Sequence, residues 1–567
     1  MVSKWNLRCN IALACLAVIT PSTCSAINGT RTADYAPSAT VHNGTLTGAY
    51  SAKYNQDFFL GVPFAQPPLG NLRLNLPQAL NTSWTGSKEA VQYSPLCVGY
   101  GGDDVGYDVS EDCLTLNVIR PTGVSKDAEL PVAVWIHGGG NVMGGSGDRR
   151  YNLSFIVENS VAINQPIIGV SINYRLSGFG FMYNDAIALA GLANLGLLDQ
   201  RLALHWIQEN IAAFGGSPRK VTIWGESAGG VSVGAHILAY GGRDDGLFRA
   251  AIAQSRGPAY LSRSTTRTAR VNSNSVTRAT GCANVPDELA CLRALPFDTL
   301  NRAMNITPSY SFGPIIDGTF LTTLPSTQLA SGAFVRVPFI IGANTDEGTA
   351  FVGKGGVNDD ADFIALVRSH GVKCQNAEVM AHVYPNIPAI GIPDTLVDPP
   401  TNTTIGTQYK RVAAFLGDLS QFGPRRAACE AWSNFGVPAY CYRFNVMPAG
   451  IPLMIGATHF QEVSFVMDNV NGYGYAINPF LDMPATYIQL ATLMSRSWVS
   501  FIANLQPNAH GDRAVPAWPM YNVTDGKGAQ DMLFDANVSS LAVPERDTYR
   551  AEGIAFINEL AATDFER

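Results

Sequence analysis

Residues 221–231 read Val-Thr-Ile-Trp-Gly-Glu-Ser-Ala-Gly-Gly-Val, a strand pattern joined to a helix pattern by a turn of small residues. The β-branched and aromatic start predicts a buried strand, and residues 228–240 predict a helix. The G-x-S-x-G core is typical of a nucleophile elbow, in which Ser227 occupies a strained turn at the helix N-terminus. Gly225 and Gly229 suit that turn because strand and helix approach closely there. A glycine-rich connection with a capping serine is the alternative interpretation.

The N-terminal segment has the three parts of a secretory signal peptide. Lys4 and Arg8 precede an apolar run at residues 11–19, and the small residues Cys24-Ser-Ala26 follow. The apolar run is too short to span a bilayer, and no later stretch of about 18 apolar residues occurs. We therefore expect cleavage after Ala26 and a secreted, extracellular protein with no stable membrane insertion.

Cysteines and glycosylation motifs agree with that compartment. Ten cysteines are present, of which Cys9, Cys15 and Cys24 belong to the predicted signal peptide. The remaining odd number leaves at least one thiol unpaired in an oxidising environment. N-x-S/T sequons suit a secreted glycoprotein and occur at Asn28, Asn43, Asn81, Asn152, Asn305, Asn402, Asn522 and Asn537.

The charge pattern excludes some classes of partner. The formal net charge is −7, and the chain has no block of Lys and Arg. Nucleic acid and anionic membranes are therefore disfavoured as partners. Cys and His do not cluster with the spacing of a metal site, so we expect neither a metal nor another cofactor.

Strand and helix patterns alternate along much of the chain. This alternation predicts an α/β fold with a mainly parallel mixed sheet, helices on both faces and large insertions after residues 255 and 348. No repeat, linker or composition break appears, so residues 27–567 are predicted to form one domain. The predicted strands are 114–119, 130–136, 167–174, 221–224, 248–253, 337–342 and 439–446, and the helices are 195–214, 228–240 and 487–504.

A serine nucleophile in an elbow needs a histidine base that follows an acid in the chain. That order excludes the histidines at positions 42, 137 and 205, and His236 lies in the elbow's own helix. His370, His382, His459 and His510 remain. Residue patterns alone do not choose among these four, although His382 and His510 better suit packing or solvated roles.

Five ordered motifs between about residues 41 and 501 resemble the type-B carboxylesterase family, which includes cholinesterases and some fungal lipases. The overall pattern is similar to that of the secreted fungal members. The motifs are Gly61-Val-Pro-Phe-Ala-Gln-Pro-Pro68, Glu111-Asp-Cys-Leu-Thr-Leu-Asn117, Trp135-Ile-His-Gly-Gly-Gly140, Gly225-Glu-Ser-Ala-Gly-Gly230 and Gly456-Ala-Thr-His459.

The resemblance implies an α/β-hydrolase fold and a catalytic triad of Ser227, Glu347 and His459. Asp346 is a close competitor for the acid. An oxyanion hole is implied at the backbone N–H groups of Gly139, Gly140 and Ala228, where glycine lets the main chain approach the substrate.

Further features follow from the same resemblance. Disulfides are implied for Cys97–Cys113 and Cys282–Cys291, and a structural ion pair is implied between Arg73 and Glu111. We expect a third bridge, Cys429–Cys441, because its cysteines are near in sequence, which leaves Cys374 unpaired. Family members usually have Phe where this chain has Asn141, so the shape of the acyl site does not carry over.

The predicted activity is hydrolysis of a small-molecule or lipid-like ester. One alternative is a triacylglycerol lipase acting at lipid interfaces, and another is a non-catalytic, cholinesterase-like binding protein. In the interfacial lipases of this family, the loop that corresponds to residues 98–112 of this chain carries an amphipathic helix, which covers the active site as a lid. Here the loop has four glycines and five acidic residues, which disfavour such a helix. A different insertion, at residues 353–374 or 385–404, is the alternative candidate for a lid over the active site.

Overall fold

A mixed sheet of eleven strands runs through the middle of the protein. The structure is a computed structural model that describes residues 35–261, 263–306, 312–353, 356–397 and 405–567, so the predicted signal peptide lies outside it. The strands of this sheet, numbered in chain order, are β1 Ala49–Ser51, β2 Gln56–Pro63, β3 Thr115–Pro121, β4 Leu130–Ile136, β5 Ile168–Ile172, β6 Gly216–Glu226, β7 Ala250–Gln254, β8 Phe339–Asn344, β9 Ala439–Phe444, β10 Gln530–Phe534 and β11 Ala542–Arg546.

The strand order across the sheet is β11-β10-β9-β8-β7-β6-β4-β5-β3-β2-β1. All neighbouring pairs from β10 to β5 in this order are parallel. The pairs at the two edges, including β5 with β3, are antiparallel. The predicted mainly parallel mixed sheet is therefore present.

Helices connect the strands and form the insertions. No helix of the described chain has the length and apolar character needed to cross a membrane. The α-helices are α1 Ser154–Ala162, α2 Ser177–Phe181, α3 Asp185–Leu189, α4 Leu195–Asn210, α5 Ala228–Gly242, α6 Arg263–Ala279, α7 Glu288–Ala294, α8 Phe297–Ile306, α9 Pro325–Ser331, α10 Asp360–Ser369, α11 Cys374–Val383, α12 Tyr409–Gly417, α13 Gly423–Asn434, α14 Val463–Val466, α15 Ala485–Asn504 and α16 Ala551–Glu559.

Both faces of the sheet are packed. In β4, Val132, Val134 and Ile136 belong to one buried cluster, whereas Ala133 and Trp135 belong to another. Alternate residues of a strand point to opposite faces, so β4 contributes to a core on each side. This arrangement explains why the central strands read as continuous apolar runs.

The C-terminal strands β10 and β11 and helix α16 were not predicted. The residues of β10, Gln-Asp-Met-Leu-Phe, begin with polar side chains, which hide the strand from a search for apolar runs. Asp531 in this strand is buried and pairs with Arg425 of α13 at 2.6 Å. The charge of Asp531 makes the segment look exposed in the sequence. In the structure, this charge is paired with an arginine that lies 106 residues away in the chain.

The disulfides are Cys97–Cys113, Cys282–Cys291 and Cys429–Cys441, and Cys374 is free and exposed. Arg73 also pairs with Glu111 through two hydrogen bonds of 2.6 Å. The same guanidinium donates to the carbonyl of Leu295 at 2.6 Å. These links attach the loop closed by the first disulfide, and the insertion beyond β7, to the body of the protein.

Candidate active site

The elbow lies where β6 meets α5. Ser227 has φ 55° and ψ −118°, values that strain a residue with a side chain. A Cβ on Gly225 would lie 2.5 Å from the carbonyl carbon of Gly229, and a Cβ on Gly229 would lie 2.0 Å from the oxygen of Ile136. Any larger residue would therefore push the strand and helix apart. The N–H of Ser227 donates to the carbonyl of Gln254 at 2.9 Å, which ties the elbow to β7.

Helix α5 extends two residues past its predicted end at residue 240, but its last residues are irregular. Ala239 has ψ 137° and Tyr240 has φ 53°, so helical geometry stops after Leu238. Upstream of this break, His236 is buried and its Nε2 lies 3.0 Å from Oε1 of Gln200. This histidine is engaged in the interior, which agrees with its exclusion as a base.

A hydrogen-bond chain links Ser227, His459 and Glu347. Nε2 of His459 lies 2.8 Å from Oγ of Ser227, and Nδ1 lies 2.7 Å from Oε2 of Glu347. The other oxygen of Glu347 accepts the N–H of Asn344 at 2.9 Å, and the carboxylate is fully buried. In such an arrangement an imidazole, oriented by an acid, is placed to take a proton from a hydroxyl.

Asp346, the competing acid, has a different partner. Its Oδ2 accepts the N–H of Ala457 at 2.7 Å, and Ala457 lies two positions before His459 in the chain. Burial raises the pKa of Asp346 to about 6. Asp346 therefore holds the loop that carries the histidine and makes no hydrogen bond to the imidazole.

The glycine turn after β4 packs against the elbow. A Cβ on Gly138 would lie 3.1 Å from the Cβ of Ser227. Gly139 and Gly140 have φ values of 87° and 65° and line the same cavity as Ser227. A Cβ on Gly139 would lie 2.2 Å from the carbonyl oxygen of Met143, so only glycine fits there. The predicted donors Gly139 and Gly140 thus lie beside the serine, and Ala228 follows it directly.

A buried polar network beneath the histidine was not predicted. Glu462 accepts hydrogen bonds from Nε2 of Gln254 at 3.0 Å and from Nδ2 of Asn344 at 2.6 Å. Nδ2 of Asn344 also donates to the carbonyl of Thr458 at 2.7 Å. The network fixes the His459 loop to the ends of β7 and β8. Its only sequence signal is an acid three residues after the histidine.

Glu226 contacts the imidazole from a second side. Its Oε1 lies 3.3 Å from Nε2 of His459 but makes no hydrogen bond to any described residue. Burial raises the pKa of Glu226 well above its ordinary value, and the neighbouring Glu462 and Glu347 raise it further. Burial therefore favours the neutral, protonated form of this carboxyl group beside the base.

A cavity of about 990 Å³ opens over Ser227 and His459. Aromatic and apolar side chains form much of its wall, including Phe312, Phe351 and Phe460. Asn141, which replaces the usual Phe, is 7% exposed, and its Oδ1 has no hydrogen-bond partner in the described part of the chain. The cavity has the size and mixed lining of a small-molecule site.

The carboxylesterase family model matches residues 35–543. The chain belongs to the carboxylesterase family. It is 34% identical over 530 residues to secreted lipase 1 of Botryotinia fuckeliana, covering 86% of this chain and 88% of that protein. It is 33% identical over 556 residues to lipase 4 of Diutina rugosa, covering 91% of this chain and 95% of that protein.

The crystal structure of Aspergillus niger EstA is similar to this fold, with a TM-score of 0.81 and 26% identity over 94% of this chain and 100% of that chain. The fold is that of the α/β-hydrolases, as the sequence motifs implied. The protein is a carboxylic-ester hydrolase.

Proposed function

We propose that this carboxylesterase-family protein hydrolyses its ester through an acyl-enzyme formed on Ser227. The observation that carries the proposal is the hydrogen-bond chain from Ser227 through His459 to Glu347. As Oγ attacks the ester carbonyl, Nε2 of His459 takes its proton, and Glu347 stabilises the positive imidazolium. The same imidazolium then protonates the leaving alcohol.

Hydrolysis of the acyl-enzyme completes the cycle. His459 removes a proton from water, the resulting nucleophile attacks the acyl carbonyl, and Ser227 regains its proton as the acid leaves. In both steps the N–H groups of Gly139, Gly140 and Ala228 receive the negative oxygen. Each such donor typically contributes about a hundredfold to a thousandfold in rate.

Covalent labelling tests the nucleophile. An aryl phosphonate that reacts with activated serines is expected to modify one residue, Ser227, with loss of ester hydrolysis in proportion to labelling. Peptide mass analysis identifies the modified residue. Labelling of another serine with parallel loss of activity would contradict the proposal.

Secretion is part of the proposal. The pattern at residues 1–26 has the features of a cleaved signal, and two related proteins are named secreted lipases. A single domain from residue 27 onward also remains a prediction.

A lipase acting at interfaces is the second candidate, because several similar proteins are named lipases. The loop closed by Cys97–Cys113 favours an esterase. It contains a single 3-10 turn, Gly102–Asp104, and no α-helix. Asp103 pairs with Arg150 at 2.7 Å, and Asp104 accepts the N–H of Gly144 at 2.8 Å. The loop is therefore pinned beside the glycine turn.

We expect no jump in rate when substrate forms an interface. The rate on tributyrin should saturate smoothly as its concentration passes the solubility limit, because this loop has no amphipathic helix to open. Triacetin, which stays dissolved over the same range, is the matched substrate. A sharp rise at the solubility limit for tributyrin alone would favour the lipase. Exposed Ile390 and Val397 in the 385–404 insertion would then be the first candidates for a cover.

A further inference from the structure

Besides His459, four Asp, Glu or Arg side chains lie in the described wall of the cavity: Asp103, Arg150, Glu226 and Arg256. Arg150 is neutralised, because it pairs with Asp103 at 2.7 Å and with Asp148 at 2.6 Å. Glu226 lies 3.3 Å from Nε2 of His459, and burial raises the pKa of its carboxyl group well above the ordinary value, whereas the charge of Arg256 lowers it. Arg256 is therefore the one of these four side chains that forms no salt bridge in the described part of the chain.

The guanidinium of Arg256 is held by aromatic rings. Its Cζ lies 4.3 Å from the ring centre of Tyr260 and 5.3 Å from that of Phe351. Its Nε is buried without a hydrogen-bond partner, and no carboxylate of the described chain forms a salt bridge with it. A buried donor without a partner is costly, and an anionic group bound in the cavity would supply that partner.

Arg256 lies close to the reacting groups. The ring of Phe351 that it contacts is also 5.2 Å from the imidazole of His459, so one aromatic ring separates the guanidinium from the base. Two residues before it, the carbonyl of Gln254 accepts the N–H of Ser227. The position of Arg256 is therefore fixed relative to the nucleophile.

We propose that Arg256 binds an acidic group of the substrate, so that the enzyme prefers esters carrying a free carboxylate, such as monoesters of dicarboxylic acids. This inference rests on the proposed ester hydrolysis at Ser227. Guanidinium and carboxylate form paired, charge-assisted hydrogen bonds with specific geometry. The net charge of −7 repels anions from the protein as a whole, so an anionic substrate needs such a local cation.

The test compares monoethyl adipate with ethyl hexanoate, a neutral ester of the same acyl length. Near pH 7 the wild type is expected to hydrolyse monoethyl adipate with a kcat/KM about tenfold to a hundredfold higher than that for ethyl hexanoate. This factor corresponds to the free energy of one hydrogen bond to a charged group. High salt should reduce this preference because it screens the charge.

Two variants of Arg256 isolate its contribution. Arg256→Gln should remove the preference by lowering kcat/KM on the anionic ester, while the rate on ethyl hexanoate changes less than about threefold. Arg256→Lys keeps the charge and should retain part of the preference. Arg219→Gln is the matched control, because Arg219 is a surface residue paired with Glu129 and its loss changes the net charge equally.

The outcomes separate this inference from the proposed function. Equal rates of the wild type on the two esters would overturn the role of Arg256 while leaving ester hydrolysis intact. Equal losses on both esters in Arg256→Gln would assign the residue to packing against the rings, which also overturns the inference. Failure of the wild type to hydrolyse either ester would contradict both proposals.

Discussion

Replacing Ser227 by Ala should lower kcat/KM on a short-chain ester by roughly 10⁵-fold to 10⁶-fold. The hydroxyl makes one hydrogen bond, the 2.8 Å contact with His459, so its loss removes the nucleophile and no contact that supports the fold. Alanine also keeps the Cβ at φ 55°, so the backbone strain of the elbow is unchanged. The rate of p-nitrophenyl butyrate cleavage and the thermal unfolding midpoint are the two measurements.

Ser255→Ala is the matched control for this variant. Ser255 ends the neighbouring strand region, also has a positive φ of 56°, and its Oγ is buried without a partner among the described residues. Activity within about threefold of wild type is expected there, since no reacting atom is touched. Comparable turnover by the two alanine variants would remove Ser227 from the mechanism.

The elbow could be predicted because its determinants are local. Small residues on either side of Ser227 and the strand and helix patterns that flank it lie within one short segment. The base and acid lie 232 and 112 residues from their partners in the hydrogen-bond chain. Their selection therefore required the resemblance to a family, since residue patterns left four histidines open.

The features that were missed depend on contacts that no local pattern encodes. Glu462 becomes part of the site because two distant residues donate to it, Gln254 from 208 residues away and Asn344 from 118 residues away. Arg256 follows a buried strand and looks like a loop residue, yet aromatic rings from two segments hold it in the cavity. Sequence reasoning therefore named the residues that the structure joins in one hydrogen-bond chain, but it missed Glu462 beneath them and Arg256 in the cavity wall.

The second large effect is expected for Glu347→Gln, a loss of roughly 10³-fold to 10⁴-fold in kcat. Glu347 accepts two hydrogen bonds, from Nδ1 of His459 at 2.7 Å and from the N–H of Asn344 at 2.9 Å. A glutamine has only one acceptor oxygen for these two donors. If its oxygen faces His459, its NH₂ group opposes the N–H of Asn344. If its NH₂ faces the imidazole, it stabilises the tautomer that cannot accept the proton of Ser227.

Asp346→Asn is the control that separates the adjacent acids, with a loss below about tenfold expected. Asn still accepts the N–H of Ala457 through its oxygen, the contact that Oδ2 of Asp346 makes at 2.7 Å. The other oxygen, Oδ1, is buried without a hydrogen-bond partner in the described chain, and burial already penalises the charged form. Measuring kcat and KM separately is decisive, because loss of an orienting acid lowers kcat, whereas a displaced loop alters both. Inactivity of the Asp346 variant with retained activity of Glu347→Gln would transfer the role of the acid to Asp346.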